Sequence, residues 1–180
     1  GKKKTTQPHG SFPVDLHLDP KQPNKIFGRS PVKYTNEGKG LCRWIGLDVD
    51  LKLEPKEACS KAWSVDTDII PFRSANGKWH YYKFLKDFID VDRARLIKDK
   101  LVEQFNILGL KCDKDKCLPQ GYNLKDKTPG NQLYLPRFYD GTIPYSPRGE
   151  PLTESQFLFR LENFKHPLIS GSVGLVFFFF

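Results

Sequence analysis

Asp48 and Asp50 stand two residues apart in the segment Ile45-Gly46-Leu47-Asp48-Val49-Asp50-Leu51. Ile45, Leu47, Val49 and Leu51 alternate with Trp44, Gly46, Asp48 and Asp50. Period-two alternation of aliphatic residues predicts a strand packed on one side. Both carboxylates then point to the other side, about 7 Å apart along the strand. Like charges so placed repel unless a cation lies between them. Mg²⁺ or Mn²⁺ suits such oxygen ligands. Two such ions, about 3.5–4 Å apart, are a common device for in-line attack on phosphorus. The plainer reading is a solvated carboxylate pair on an edge strand.

Two further segments carry chemistry-bearing side chains. In Arg73-Ser74-Ala75-Asn76-Gly77-Lys78-Trp79-His80 a polar turn enters a strand next to a histidine. Small residues allow a phosphate close to the backbone, and Arg73, Ser74, Lys78 and His80 can donate to its oxygens. An ordinary hairpin loop with a half-buried histidine reads the same way. The segment Cys112-Asp113-Lys114-Asp115-Lys116-Cys117-Leu118-Pro119-Gln120 offers Asp113 or Asp115 as a third acid. A solvated charged turn is its alternative reading. Downstream lies Gly130-Asn131-Gln132-Leu133-Tyr134-Leu135-Pro136.

The elements that must hold these residues are legible in outline. Residues 1–24 are expected as an irregular basic arm with at most a short strand, and 28–40 as a loop and edge strand. Ile69 to Phe72 and Trp79 to Leu85 are further strands, and Gln132 to Leu135 a short one stopped by Pro136. The best helix runs from Val91 to Leu108. Asp90 is its N-cap, Ala94, Ile97, Leu101, Phe105 and Leu108 its apolar stripe, and Gly109 its left-handed C′ residue. Glu154 to Phe164 forms a second helix. This order predicts an α+β fold with helices on one face of a sheet. Residues 1–40 are expected as a basic arm with an edge strand, and residues 41–180 as the core.

Hydrophobic residues make up 38% of the chain and 14 are Phe, which argues against a disordered chain. The net charge of +8 favours polyanions, namely nucleic acid, nucleotides or an anionic membrane, with simple solubility as the plainer reading. The four cysteines form no disulfide framework, and reduced intracellular thiols are expected. Cys112 and Cys117 are half a zinc site without a second half, since His166 stands alone downstream, so no structural zinc is expected. The sequence begins at Gly1 and contains no Met, as expected of a fragment of a larger protein. Its apolar end, Val173 to Phe180, is too short to span a bilayer and no membrane partner is expected.

Taken in order, these pieces resemble the catalytic core of the archaeo-eukaryotic primase superfamily, especially the primase–polymerases of phages, plasmids and related mobile elements. The resemblance runs from about Cys42 to Phe138. It rests on hydrophobe-Asp-x-Asp, then Arg-Ser, Gly and His entering a strand, an amphipathic helix, an acid, Pro-Gln, and Gly-Asn-x-hydrophobe-x-Leu-Pro. Trp79 before the histidine and Leu118 before Pro119 depart from the commoner pattern. The resemblance implies a mixed or antiparallel sheet related to the RNA-recognition motif, with an accessory α/β portion assigned to residues 1–40. It implies template-directed synthesis from nucleoside triphosphates on single-stranded DNA, with a helicase or accessory domain outside this segment. Asp48, Asp50 and Asp115 would be the metal ligands, and Arg73, Ser74, Lys78, His80 and Asn131 would bind the nucleotide. Tyr81, Tyr82 and Tyr134 are candidates for stacking on bases, although such residues are usually core. Two alternatives stand beside it. Asp50 with Glu54-Pro55-Lys56 loosely follows the carboxylate and Glu-x-Lys pattern of a metal-dependent nuclease, with Pro55 against it. A noncatalytic nucleic-acid-binding module would use neither aspartate.

Overall fold

A computed structural model describes residues 28–120, 133–134 and 142–163. Asn131, Leu135–Pro136, the arm at 1–24 and the apolar end at 173–180 lie outside the described residues.

Five strands form one open antiparallel sheet in the order β2-β3-β5-β4-β7. They are β2 (Val32–Tyr34), β3 (Gly40–Val49), β4 (Ile69–Arg73), β5 (Trp79–Asp90) and β7 (Ile143–Pro144). A separate two-stranded pairing joins β1 (Gly28–Arg29) to β6 (Leu133–Tyr134). β2 pairs with β3 directly, across the sequence boundary at residue 40. The helices are α1 (Pro55–Val65), α2 (Val91–Ile107) and α3 (Glu154–Asn163). Because β5 lies between β3 and β4, the unit β3-α1-β4 is split by a strand that arrives later in sequence.

The apolar alternation of β3 does what its spacing requires. Ile45, Leu47 and Val49 join Trp79 and Tyr81 of β5 in the larger core cluster. Ala58, Cys59 and Ala62 of α1 and Leu101, Val102 and Phe105 of α2 cover that face. α2 is framed as its sequence demands. Asp90 accepts from the Asp92 amide at the N-terminus. At the other end Gly109 takes φ 76°. Its N–H donates to Asn106 O at 3.0 Å, and the Leu110 N–H to Phe105 O at 2.9 Å. That pair of bonds is a Schellman closure.

Three expectations need correction. β3 is packed on both sides, not one: Trp44 is buried with Ile70, Phe72, Tyr82, Leu118 and Phe157 in a second cluster. The helices are therefore not all on one face, because α3 carries Phe157 to the face opposite α1 and α2. Tyr81 and Tyr82 are buried, so neither presents a ring for stacking on bases. The helix α1 also lacks a sequence expectation. Its buried face is Ala58, Cys59 and Ala62, small residues that leave a weak apolar stripe. Pro55 occupies the first turn, where its missing N–H is harmless. Glu54 and Lys56 consequently sit at a helix entrance and not on the strand that a Glu-x-Lys nuclease pattern requires.

Candidate active site

The β3–β5 ladder places two polar pairs side by side at one end of the sheet. Asp48 pairs in register with His80, and Val49 with Trp79. Just past the end of the ladder, Asp50 and Lys78 are joined by an ion pair. Since side chains alternate along a strand, Asp48 and His80 share the face turned away from α1 and α2. His80 Nε2 lies 3.5 Å from Asp48 Oδ1. Lys78 Nζ lies 2.6 Å from Asp50 Oδ1.

A third segment closes on these pairs from the free edge of β3. The chain at 112–118 bridges to β3 at both ends, Val49 with Cys112 and Gly46 with Leu118. The Gly46 and Leu118 backbones exchange hydrogen bonds of 3.1 and 2.7 Å. The turn between them delivers Lys116, whose ammonium pairs with Asp50 Oδ2. Lys116 also lies 3.9 Å from Asp113 Oδ2. Sequence reasoning overlooked Lys116. Its signal was present in the Lys114-Asp115-Lys116 alternation, but only the bridging to β3 turns that charge toward Asp50.

The electrostatics of the two aspartates differ. Hydrogen bonds from Lys116 and then Lys78 hold the Asp50 carboxyl down to about 2. The Asp48 carboxyl is raised above its ordinary range, chiefly by burial, with His80 opposing that rise. His80 is lowered, again chiefly by burial, and its attraction to Asp48 offsets this only in part. The Asp48–His80 pair is thus biased toward its neutral forms, beside an Asp50 that stays ionised.

The remaining candidates divide. Ser74 spends its hydroxyl on its own turn, bonding the Lys78 carbonyl and accepting from the Lys78 amide, each at 3.1 Å. It shapes the hairpin that positions Lys78. Arg73 pairs in register with Trp79, which belongs to the helix-covered face, so the structure does not group it with His80 and Lys78. Its Nε is buried without a hydrogen-bond partner among the described residues. Asp115 is exposed, and its amide donates to Asp113 Oδ1. Among the described residues no three His, Cys, Asp or Glu side chains gather as a metal-holding group. Asn131 lies outside the described residues.

The donor set nevertheless suits a hard divalent cation at Asp48 and Asp50. Both offer carboxylate oxygens. Each oxygen of Asp50 already engages an ammonium group, which a metal ion would have to displace. Burial disfavours ionised Asp48, and a bound cation would relieve that penalty. Comparison with protein-family models, curated proteins and solved structures finds no match. No helix among the described residues is long and apolar enough to cross a membrane.

Proposed function

We propose that this chain is a metal-dependent nucleotidyltransferase of the primase–polymerase kind, extending a strand from nucleoside triphosphates on a single-stranded DNA template. One observation carries the reading: Asp48 with His80, paired in the β3–β5 register, and Asp50 with Lys78, joined just past its end, form two neighbouring acid–base pairs. The arrangement of the sheet supports it as well. The order of segment 112–118, β3, β5 and β4, with α1 and α2 on one face, agrees with the RNA-recognition-motif sheet that the resemblance implies.

Asp48 and Asp50 would hold Mg²⁺ or Mn²⁺. Bound there, such an ion supplies charge for the triphosphate oxygens and eases deprotonation of the attacking hydroxyl. Lys78 and Lys116 are exposed cations beside Asp50, ready to take triphosphate oxygens as a substrate arrives. His80, biased toward neutral imidazole, offers a hydrogen bond without adding repulsion against the cation. Ser74 keeps the Lys78 backbone in place. The net charge of +8 favours template phosphates, so binding weakens steeply with salt.

A primer-extension assay on single-stranded DNA with Mg²⁺ or Mn²⁺ tests this. Asp48→Ala and Asp50→Ala should each lose at least about 100-fold in incorporation while keeping the circular dichroism of the parent. Full activity in both variants refutes the assignment. Degradation of labelled DNA without triphosphate points instead to the nuclease. The noncatalytic module has one observation in its favour, since both Asp50 oxygens are already neutralised by lysines. Metal-independent DNA binding without incorporation under either metal would select it.

A further inference from the structure

Behind Asp48, on the backbone side of the site, two thiols lie against each other. Cys112 Sγ and Cys117 Sγ are 3.2 Å apart. Both are free and buried. They close the neck of the turn that carries Asp113, Asp115 and Lys116. They also hold Asp48 from both directions: the Asp48 amide donates to Cys117 Sγ at 3.5 Å, and the Cys112 thiol donates to the Asp48 carbonyl at 3.6 Å. The neighbouring contacts fix the neck. The Cys112 amide donates to Asn106 Oδ1 at 2.6 Å, and Asn106 Nδ2 donates to the Cys112 carbonyl at 3.1 Å. The remaining cysteines are engaged elsewhere, Cys42 with the Trp44 carbonyl in β3 and Cys59 on α1.

We propose that Cys112 and Cys117 are a reversible modification site, closing to an intramolecular disulfide under peroxide. A disulfide needs the sulfurs at about 2.05 Å, so closure asks for little more than 1 Å of movement. Side-chain rotation at a turn can supply that without moving β3. The two cysteines are buried beneath a turn exposed at Asp113, Lys114, Asp115 and Lys116, so a small oxidant reaches them as that turn opens. The chemistry balances. One thiol reduces hydrogen peroxide, becoming a sulfenic acid and releasing one water. The sulfur of the other attacks it and forms the S–S bond. The displaced hydroxide leaves as a second water with the remaining thiol proton. A dithiol reductant reverses the step. Closure removes the thiol donor to the Asp48 carbonyl and ties the Lys116 turn covalently at its neck. The inference stands on the position of the two sulfurs and not on the nucleotidyl-transfer reading.

The test uses the whole folded chain, treated with hydrogen peroxide, alkylated and digested with trypsin without reduction. Cleavage after Lys111, Lys114 and Lys116 separates the two cysteines onto different peptides. The expected product is Cys112-Asp113-Lys114 linked to the peptide that begins at Cys117, absent after dithiothreitol. Cys112→Ser and Cys117→Ser should each abolish it, while Cys42→Ser and Cys59→Ser leave it. Three results overturn the proposal: free thiols at both positions under peroxide that links them in the urea-unfolded chain, a link to Cys42 or Cys59 instead, or sulfinic acid without a cross-link.

Discussion

Gly149 sits where a single methyl group has a calculable cost. Its φ is +82°, and a Cβ built on it would lie 2.6 Å from both Cα and N of Lys56 and 2.8 Å from the carbonyl carbon of Pro55. Gly149→Ala therefore carries two penalties. The left-handed backbone costs an L-residue about 1–2 kcal/mol. The clash is with backbone in the first turn of α1, so no side chain can rotate aside. Overpacking of that kind costs roughly 1–3 kcal/mol more. Gly38 separates the two terms, because its φ is +80° yet nothing lies within 4 Å of its Cβ position. Gly38→Ala should show the backbone term alone. Urea unfolding of both variants, followed by tryptophan fluorescence, should place Gly149→Ala below Gly38→Ala by about 1–3 kcal/mol. Each kcal/mol corresponds to a Tm loss of about 2–4 °C in a chain of this size. Equal losses, within about 0.5 kcal/mol, would refute the steric reasoning. The displacement also has a route to the site. The chain between Asp50 and α1 is tied to β5 by the Trp79 indole N–H, which donates to the Leu53 carbonyl at 3.1 Å.

Further outcomes are expected at His80 and at Phe157. His80 should titrate below the 6.5 of an ordinary histidine in an NMR titration assigned with His80→Gln, and Lys78→Ala should raise it, since the ammonium beside it lowers it. A lowered value means the unfolded chain binds the proton first. The His80 contribution to stability is thus complete above 6.5 and is lost as pH falls through the folded value, and His80→Gln should remove that dependence. Titration at or above 6.5 in the folded parent would contradict the burial argument. Phe157→Ala should cost about 3–5 kcal/mol in urea unfolding. Phe157 is buried edge-to-face on Phe72 with centroids 5.3 Å apart, and a loss under about 1 kcal/mol would mean that α3 does not cover the second face.

The sequence by itself determined the local pieces whose physics is local. Alternation in Ile45 to Leu51 fixed which residues face the helices and put Asp48 and Asp50 together on the other side. Asp90, the apolar spacing of α2 and Gly109 determined a helix and both its ends, because caps and stripes are short-range. It did not determine α1, whose contact face is small residues, or the packing of Trp44, which depends on Phe157 brought from more than a hundred residues away. At the site the same division holds. The facing of Asp48 with His80 follows from the β3–β5 register, and register is a property of paired strands. Lys116 was an ordinary charge in a polar turn until segment 112–118 bridged to β3. Whether a carboxylate such as Asp50 meets a cation, and whether Cys112 meets Cys117, is decided by which backbone edges find each other, and only the tertiary structure does that.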